Sequence, residues 1–82
     1  MTDPRPIRDE ILRQVEGREG SVCPSEVARA LADDWRPLMD DVRAQAAALA
    51  ADGRVRVTQG DQTVDARTAR GPIRLRRPAA PS

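Results

Sequence analysis

Two short stretches place arginine at every second position, Arg54-Val55-Arg56-Val57 and Ile73-Arg74-Leu75-Arg76. A period of two is the pattern of a strand with one buried face. Packing Val55, Val57, Ile73 and Leu75 inward sends Arg54, Arg56, Arg74 and Arg76 out together on the opposite side. Guanidinium groups gathered on one surface suit one kind of chemistry, bidentate hydrogen bonding to phosphate or carboxylate oxygens. Like charges facing each other across strands are destabilising, so the arrangement asks for a counter-charge. Nucleic-acid phosphates are one source. Carboxylates of the first helix, such as Glu16 and Glu19, are the other, and they would leave only a solvated strand face. Arg67 and Arg70, between the two stretches, extend the candidate patch, and Arg36 and Arg43 are the cations of the helix that precedes it.

The charge distribution agrees with an anion-attracting end. The chain of 82 residues has a formal net charge of only +1. Residues 1 to 53, however, hold 7 Arg against 11 Asp and Glu, a balance of −4, while residues 54 to 82 hold 7 Arg against 2 Asp, a balance of +5. Such a split draws a polyanion to one end of a nearly neutral molecule. The complete absence of lysine is read first as the mark of a GC-rich coding sequence and second as selection for the arginine fork.

Other chemistry finds little support. With no His and no Tyr, and Ser only at Ser21, Ser25 and Ser82, there is no Ser/His arrangement, and no phosphate-cradling glycine loop is present. Cys23 is the sole cysteine, which excludes an intramolecular disulfide and the Cys/His spacings of zinc sites, so no metal or cofactor is expected. Its expected role is that of a small buried apolar side chain rather than a reactive thiol. The carboxylate pairs Asp33-Asp34 and Asp40-Asp41 read as helix caps and first-turn residues rather than as acid/base machinery. Trp35, the only aromatic residue, is expected to anchor the core rather than stack on a base.

Three helices must position these residues. Ile7, Ile11, Leu12 and Val15 form the buried stripe of a first helix that begins near Pro4 to Pro6 and stops at Gly17. Cys23-Pro24-Ser25-Glu26 opens a short second helix, with Pro24 at its first position and Glu26 reaching back to free backbone N–H groups; Val27, Ala28 and Leu31 are its inner face. Asp33 and Asp34 break it, and Asp34 is placed to cap a third helix running from about Trp35 to Asp52, with Met39, Val42, Ala46 and Leu49 inward. Gly53 supplies the left-handed residue after it, and the alanines at 44, 47, 48 and 51 leave a smooth surface. Gly60-Asp61 and a long segment ending at Gly71-Pro72 join the two strands.

Cys23-Pro24-Ser25-Glu26-Val27-Ala28-Arg29, Asp34-Trp35-Arg36-Pro37-Leu38-Met39, Gly53-Arg54-Val55, Thr58-Gln59-Gly60 and Arg70-Gly71-Pro72-Ile73-Arg74 resemble a family of short bacterial proteins known only as a domain of unknown function. The resemblance covers nearly the whole chain. It implies a winged-helix-like fold and a broader similarity to bacterial DNA-binding regulators. It also makes Trp35, Arg36, Arg70 and Arg74 participants in the family's activity, and it carries no catalytic residue or cofactor.

These readings together predict an α+β, mainly α, domain over residues 1–77: a three-helix bundle with a C-terminal two-stranded β-ribbon in the winged-helix manner, followed by a disordered tail at 78–82. The expected function is duplex DNA binding through an arginine-lined wing made of Arg54, Arg56, Arg67, Arg70, Arg74 and Arg76, with Arg36 and Arg43 on the third helix. Asp40 and Asp41 near the head of that helix would repel phosphates and weaken its use as a groove reader. The alternative is a protein-interaction or homodimerisation module resting on the alanine surface. Neither a secretory signal nor an apolar run of membrane-spanning length is visible, so a cytoplasmic location is expected.

Overall fold

The computed structural model describes residues 3–78, in which three helices precede a three-stranded antiparallel sheet. The architecture is α+β and mainly α, as expected. The helix α1 (Pro4–Glu16) is capped by Asp3, whose carboxylate accepts the Arg5 N–H at 3.0 Å, and it buries Ile7, Ile11 and Val15 as its spacing requires. It packs against α2 (Pro24–Leu31) and α3 (Met39–Ala51).

The start of α2 follows its sequence closely. Pro24 occupies the first turn, and the Glu26 carboxylate accepts the Cys23 N–H at 2.8 Å, closing the reciprocal cap. Cys23 itself is half-buried at the helix boundary, its Sγ 3.1 Å from Ser25 Oγ.

The third helix is shorter than the span 35–52 expected for it. Arg36–Leu38 forms a separate 3₁₀ turn, and α3 begins only at Met39. Pro37 has no N–H to donate, and the turn closes through Leu38 N–H to Trp35 O at 3.0 Å. Asp34 does not cap it: Trp35 precedes the turn, Leu38 precedes α3, and neither boundary has a side-chain cap. Asp40 and Asp41 do lie in the first turn of α3, where carboxylates complement the helix dipole. Its far end closes as expected, with Gly53 at φ +75, its N–H on Ala50 O, and the Arg54 N–H reaching Leu49 O at 2.9 Å.

In the sheet, β1 (Arg56–Gln59) and β3 (Arg74–Arg76) pair antiparallel, with Arg56 opposite Arg76, Val57 opposite Leu75 and Thr58 opposite Arg74. The sheet is wider than the two-stranded ribbon expected. Gly60-Asp61 closes a tight hairpin that adds β2 (Gln62–Thr63) to the other edge of β1, with Gln59 opposite Gln62. Gly60 takes φ +61 at the first central position, where this class of hairpin turn favours glycine. On the outer edge of β3, Val22 makes a one-residue rung with Leu75 through bonds of 2.7 and 2.8 Å. A single rung has no periodicity to reveal it, but it ties the α1–α2 connection to the last strand.

One core joins the layers. Ile11, Val15, Val22, Val27, Val42, Leu49, Val57, Ile73 and Leu75 are all fully buried, together with Ala66 from the loop between β2 and β3. Trp35 packs on the edge of this core half-exposed, so it is an anchor only in part. Apart from Pro78, the expected tail lies outside the described residues.

Candidate functional site

Burying Val57 and Leu75 forces their strand neighbours outward. Arg56 and Thr58 on β1 therefore share the outer face of the sheet with Arg74 and Arg76 on β3. Arg54, assigned to the same face by its period, lies before the strand begins, exposed in the bend that leaves α3. Three of the four alternating arginines thus come together on the paired strands.

Each of the three has a different environment. Arg74 Nε donates to Ser21 Oγ at 2.7 Å and its Nη2 to Ser21 O at 3.3 Å, which ties it to the outer rung of the sheet. Arg76 Nε donates to Thr58 Oγ1 at 3.2 Å across the strands. Arg56 is exposed, with no hydrogen-bond partner for its side chain among the described residues. No ion pair among the described residues includes any of the three: those present join Arg5 to Asp3, Arg13 to Glu10 and Arg18 to Glu26. The rival arrangement, in which Glu16 and Glu19 neutralise the strand arginines, is not formed. Glu16 instead accepts a hydrogen bond from Arg77 Nη2 through its backbone carbonyl, at 2.6 Å.

Glu26 is the carboxylate that feels this face. The Cys23 N–H, then Arg18, and more weakly the charge of Arg74, hold its carboxyl below its ordinary value. Its ion pair is with Arg18, at 3.0 Å, and not with Arg74.

Arg67 and Arg70 lie in the loop between β2 and β3, both exposed. That loop is strongly organised. Asp65 turns it, its Oδ1 accepting the Arg67 N–H at 2.8 Å and its carbonyl the Ala69 N–H at 2.9 Å. Arg43, placed among the DNA contacts by the sequence, reaches across from α3: Nη1 donates to Ala69 O at 2.9 Å and Ala66 O at 3.4 Å, and Nη2 to Gly71 O at 2.8 Å. From the other side, Gln59 Nε2 donates to the carbonyls of Arg70 and Pro72. Two side chains therefore satisfy five carbonyls of the loop. Arg43 is a structural brace, and the cations that the brace presents are Arg67 and Arg70.

Arg36 belongs to a separate cluster. Its guanidinium lies 4.9 Å from the Trp35 ring centroid, and that of Arg29, on α2, lies 4.6 Å from it. Both are within cation–π distance, and the 3₁₀ turn that carries Arg36 packs on α2 and α3. A depression of about 480 Å³ between α1 and α2 is lined by Arg13, Arg18 and Arg29, but Glu10, Glu26 and Trp35 already occupy these cations.

Sequence reasoning missed Ser21, Thr58, Gln59 and Arg29. Thr58 was legible from the same period-two pattern as Arg56. Ser21 and Gln59 had no signal, because their partners lie 53 and 11 or 13 residues away. Among the described residues, no cluster of three His, Cys, Asp or Glu side chains has the arrangement of a metal site, and no helix is long and apolar enough to cross a membrane.

A small α+β domain with an arginine-bearing sheet face is the class of protein that these observations define. Within that class, the chain belongs to the family described as protein of unknown function (DUF3253), whose model matches residues 4–78 and so spans every helix and strand. The expected membership of an uncharacterised domain family is thereby borne out. A comparison with curated proteins finds no match.

Proposed function

We propose that the domain is a winged-helix module that binds nucleic acid, duplex DNA in particular, through the outer face of its sheet and the loop between β2 and β3. The observation that carries this reading is the set Arg56, Arg74 and Arg76 on one sheet face with no carboxylate paired to them among the described residues. The order of elements supports it. The sequence α1, the Val22 rung, α2, α3, then β1 and β3 with Val22 on the outer side of β3, is the plan of a winged helix, and residues 60 to 73 take the place of the wing.

The wing, rather than α3, makes the main contact. Asp40 and Asp41 are exposed at the start of α3 and Arg43 is engaged by the loop, so the helix in a recognition position would bring carboxylates toward phosphates. We read the protein as a cytoplasmic binding module with no cofactor and no catalytic role.

A salt titration with random-sequence duplex tests the reading. Engagement of about four phosphates gives a slope of log affinity against log salt near −3.6, at roughly −0.9 per phosphate. Undetectable binding at low salt overturns it.

A second reading rests on a shallow groove of about 400 Å³, where Ala47, Ala50 and Ala51 of α3 meet Val64 and Ala66 of the loop. Small side chains there permit close approach of a second copy or another protein. Sedimentation over a concentration range distinguishes it, since a stable dimer together with absent DNA binding favours this surface.

A further inference from the structure

The arginine face is not uniform. The hairpin turn Gly60-Asp61 rises beside it and, with Arg56, Thr58, Thr63 and Arg76, encloses a polar cleft of about 230 Å³. Arg56 and Arg76 are cross-strand partners on the paired strands, so their side chains leave the sheet roughly 5 Å apart at Cβ. Two cations so placed repel each other unless an anion lies between them. Asp61 is the carboxylate that lines the cleft, and it forms no ion pair with either arginine.

The cleft is also preorganised. Thr58 Oγ1 accepts from Arg76 Nε, which fixes the plane of that guanidinium and leaves its two terminal nitrogens for an incoming anion. Thr58 is only 4 % exposed, so this anchor is shielded from competing water. A side chain already held in place loses less entropy on binding than a free one.

We propose that this cleft is a single-phosphate subsite, in which Arg56 and Arg76 together grip one backbone phosphate of the bound nucleic acid. The inference rests on the nucleic-acid reading above and adds to it that these two arginines act as one unit. Arg67, Arg70 and Arg74 are then separate contacts, which gives four phosphates for five arginines.

The decisive measurement is a comparison of salt slopes for the full chain, R56Q, R76Q and the double variant, binding the same short random-sequence duplex by fluorescence anisotropy. Circular dichroism confirms that each variant is folded, and T58V is included because it frees Arg76 without removing a charge. If the pair shares a phosphate, either single substitution lowers the magnitude of the slope by up to about 0.9, and the double variant lowers it by about 0.9 in total. T58V weakens binding and leaves the slope unchanged. A double variant whose slope falls by about 1.8, as for two independent contacts, overturns the subsite while leaving the nucleic-acid reading intact. Slopes unaffected by any of these substitutions also overturn it. A wild-type chain that does not bind duplex at low salt overturns the reading and the subsite together.

Discussion

Replacing Arg43 by glutamine removes the brace between α3 and the loop that carries Arg67 and Arg70. The wild-type guanidinium makes two short hydrogen bonds, to Ala69 O at 2.9 Å and Gly71 O at 2.8 Å, and a longer one to Ala66 O at 3.4 Å. Hydrogen bonds to a charged donor contribute roughly 1.5–3 kcal/mol each when the acceptor has no alternative. Gly71 is exposed and its carbonyl regains water in the variant, whereas Ala66 is fully buried and Ala69 half-buried. Counting one bond in full and the others in part gives a loss of about 2 kcal/mol. For a domain of this size that lowers the melting temperature by roughly 8–16 °C. Thermal unfolding followed by circular dichroism measures the shift. Native-state hydrogen exchange locates it, because the Thr68 and Ala69 amides, both bonded to Asp65 O, should lose more protection than the Leu75 amide bonded to Val22 O. An ammonium group cannot reproduce the planar fork, so R43K should resemble R43Q rather than wild type. A melting temperature within about 4 °C of wild type, with loop amides unchanged, would refute the reasoning and leave Gln59 and Asp65 as sufficient supports for the loop.

Two further outcomes follow from the core and from the start of α2. Leu49 is fully buried where α3 meets the rest of the core, so L49A should cost about 2–5 kcal/mol, a large part of the stability of so small a domain; urea unfolding will measure it, and a loss below about 1 kcal/mol would mean that the site collapses around the cavity. The Glu26 carboxyl titrates below its ordinary value in the folded chain, so its contribution is complete above about pH 5 and is lost as pH falls through the folded pKa. Glutamine keeps the cap to the Cys23 N–H but not the charge. E26Q should therefore melt below wild type at neutral pH, with the gap closing as pH falls through the folded pKa, and a gap independent of pH would remove the electrostatic assignment.

Much of the architecture was legible because it depends on local rules. The stripes Ile7-Ile11-Val15 and Val42-Ala46-Leu49 are buried as their helical spacing requires, Pro24 and Glu26 open α2, and Gly53 closes α3. The pairing of β1 with β3 followed from two runs of the same period and one apolar face each. The pattern beginning at Trp35 predicts too long a third helix because it suits a 3₁₀ turn, which Arg36–Leu38 forms, as well as an α-helix.

The candidate site divides along the same line. That Arg56, Arg74 and Arg76 share a face was contained in the alternation of the strands, since a side chain that cannot enter the core must leave on the other side. Which arginines remain available was decided only by folding. Arg43 reaches loop carbonyls 23 to 28 residues away, Arg74 finds Ser21 across 53 residues, and the carboxylates of Glu16 and Glu19, expected to mask the sheet, form no ion pair with its arginines among the described residues. A sequence pattern reports the direction of a side chain relative to its own element. The partner that it meets depends on how the elements close on one another, and that closure is set by the burial of Val22, Ala66 and Leu75 in a common core.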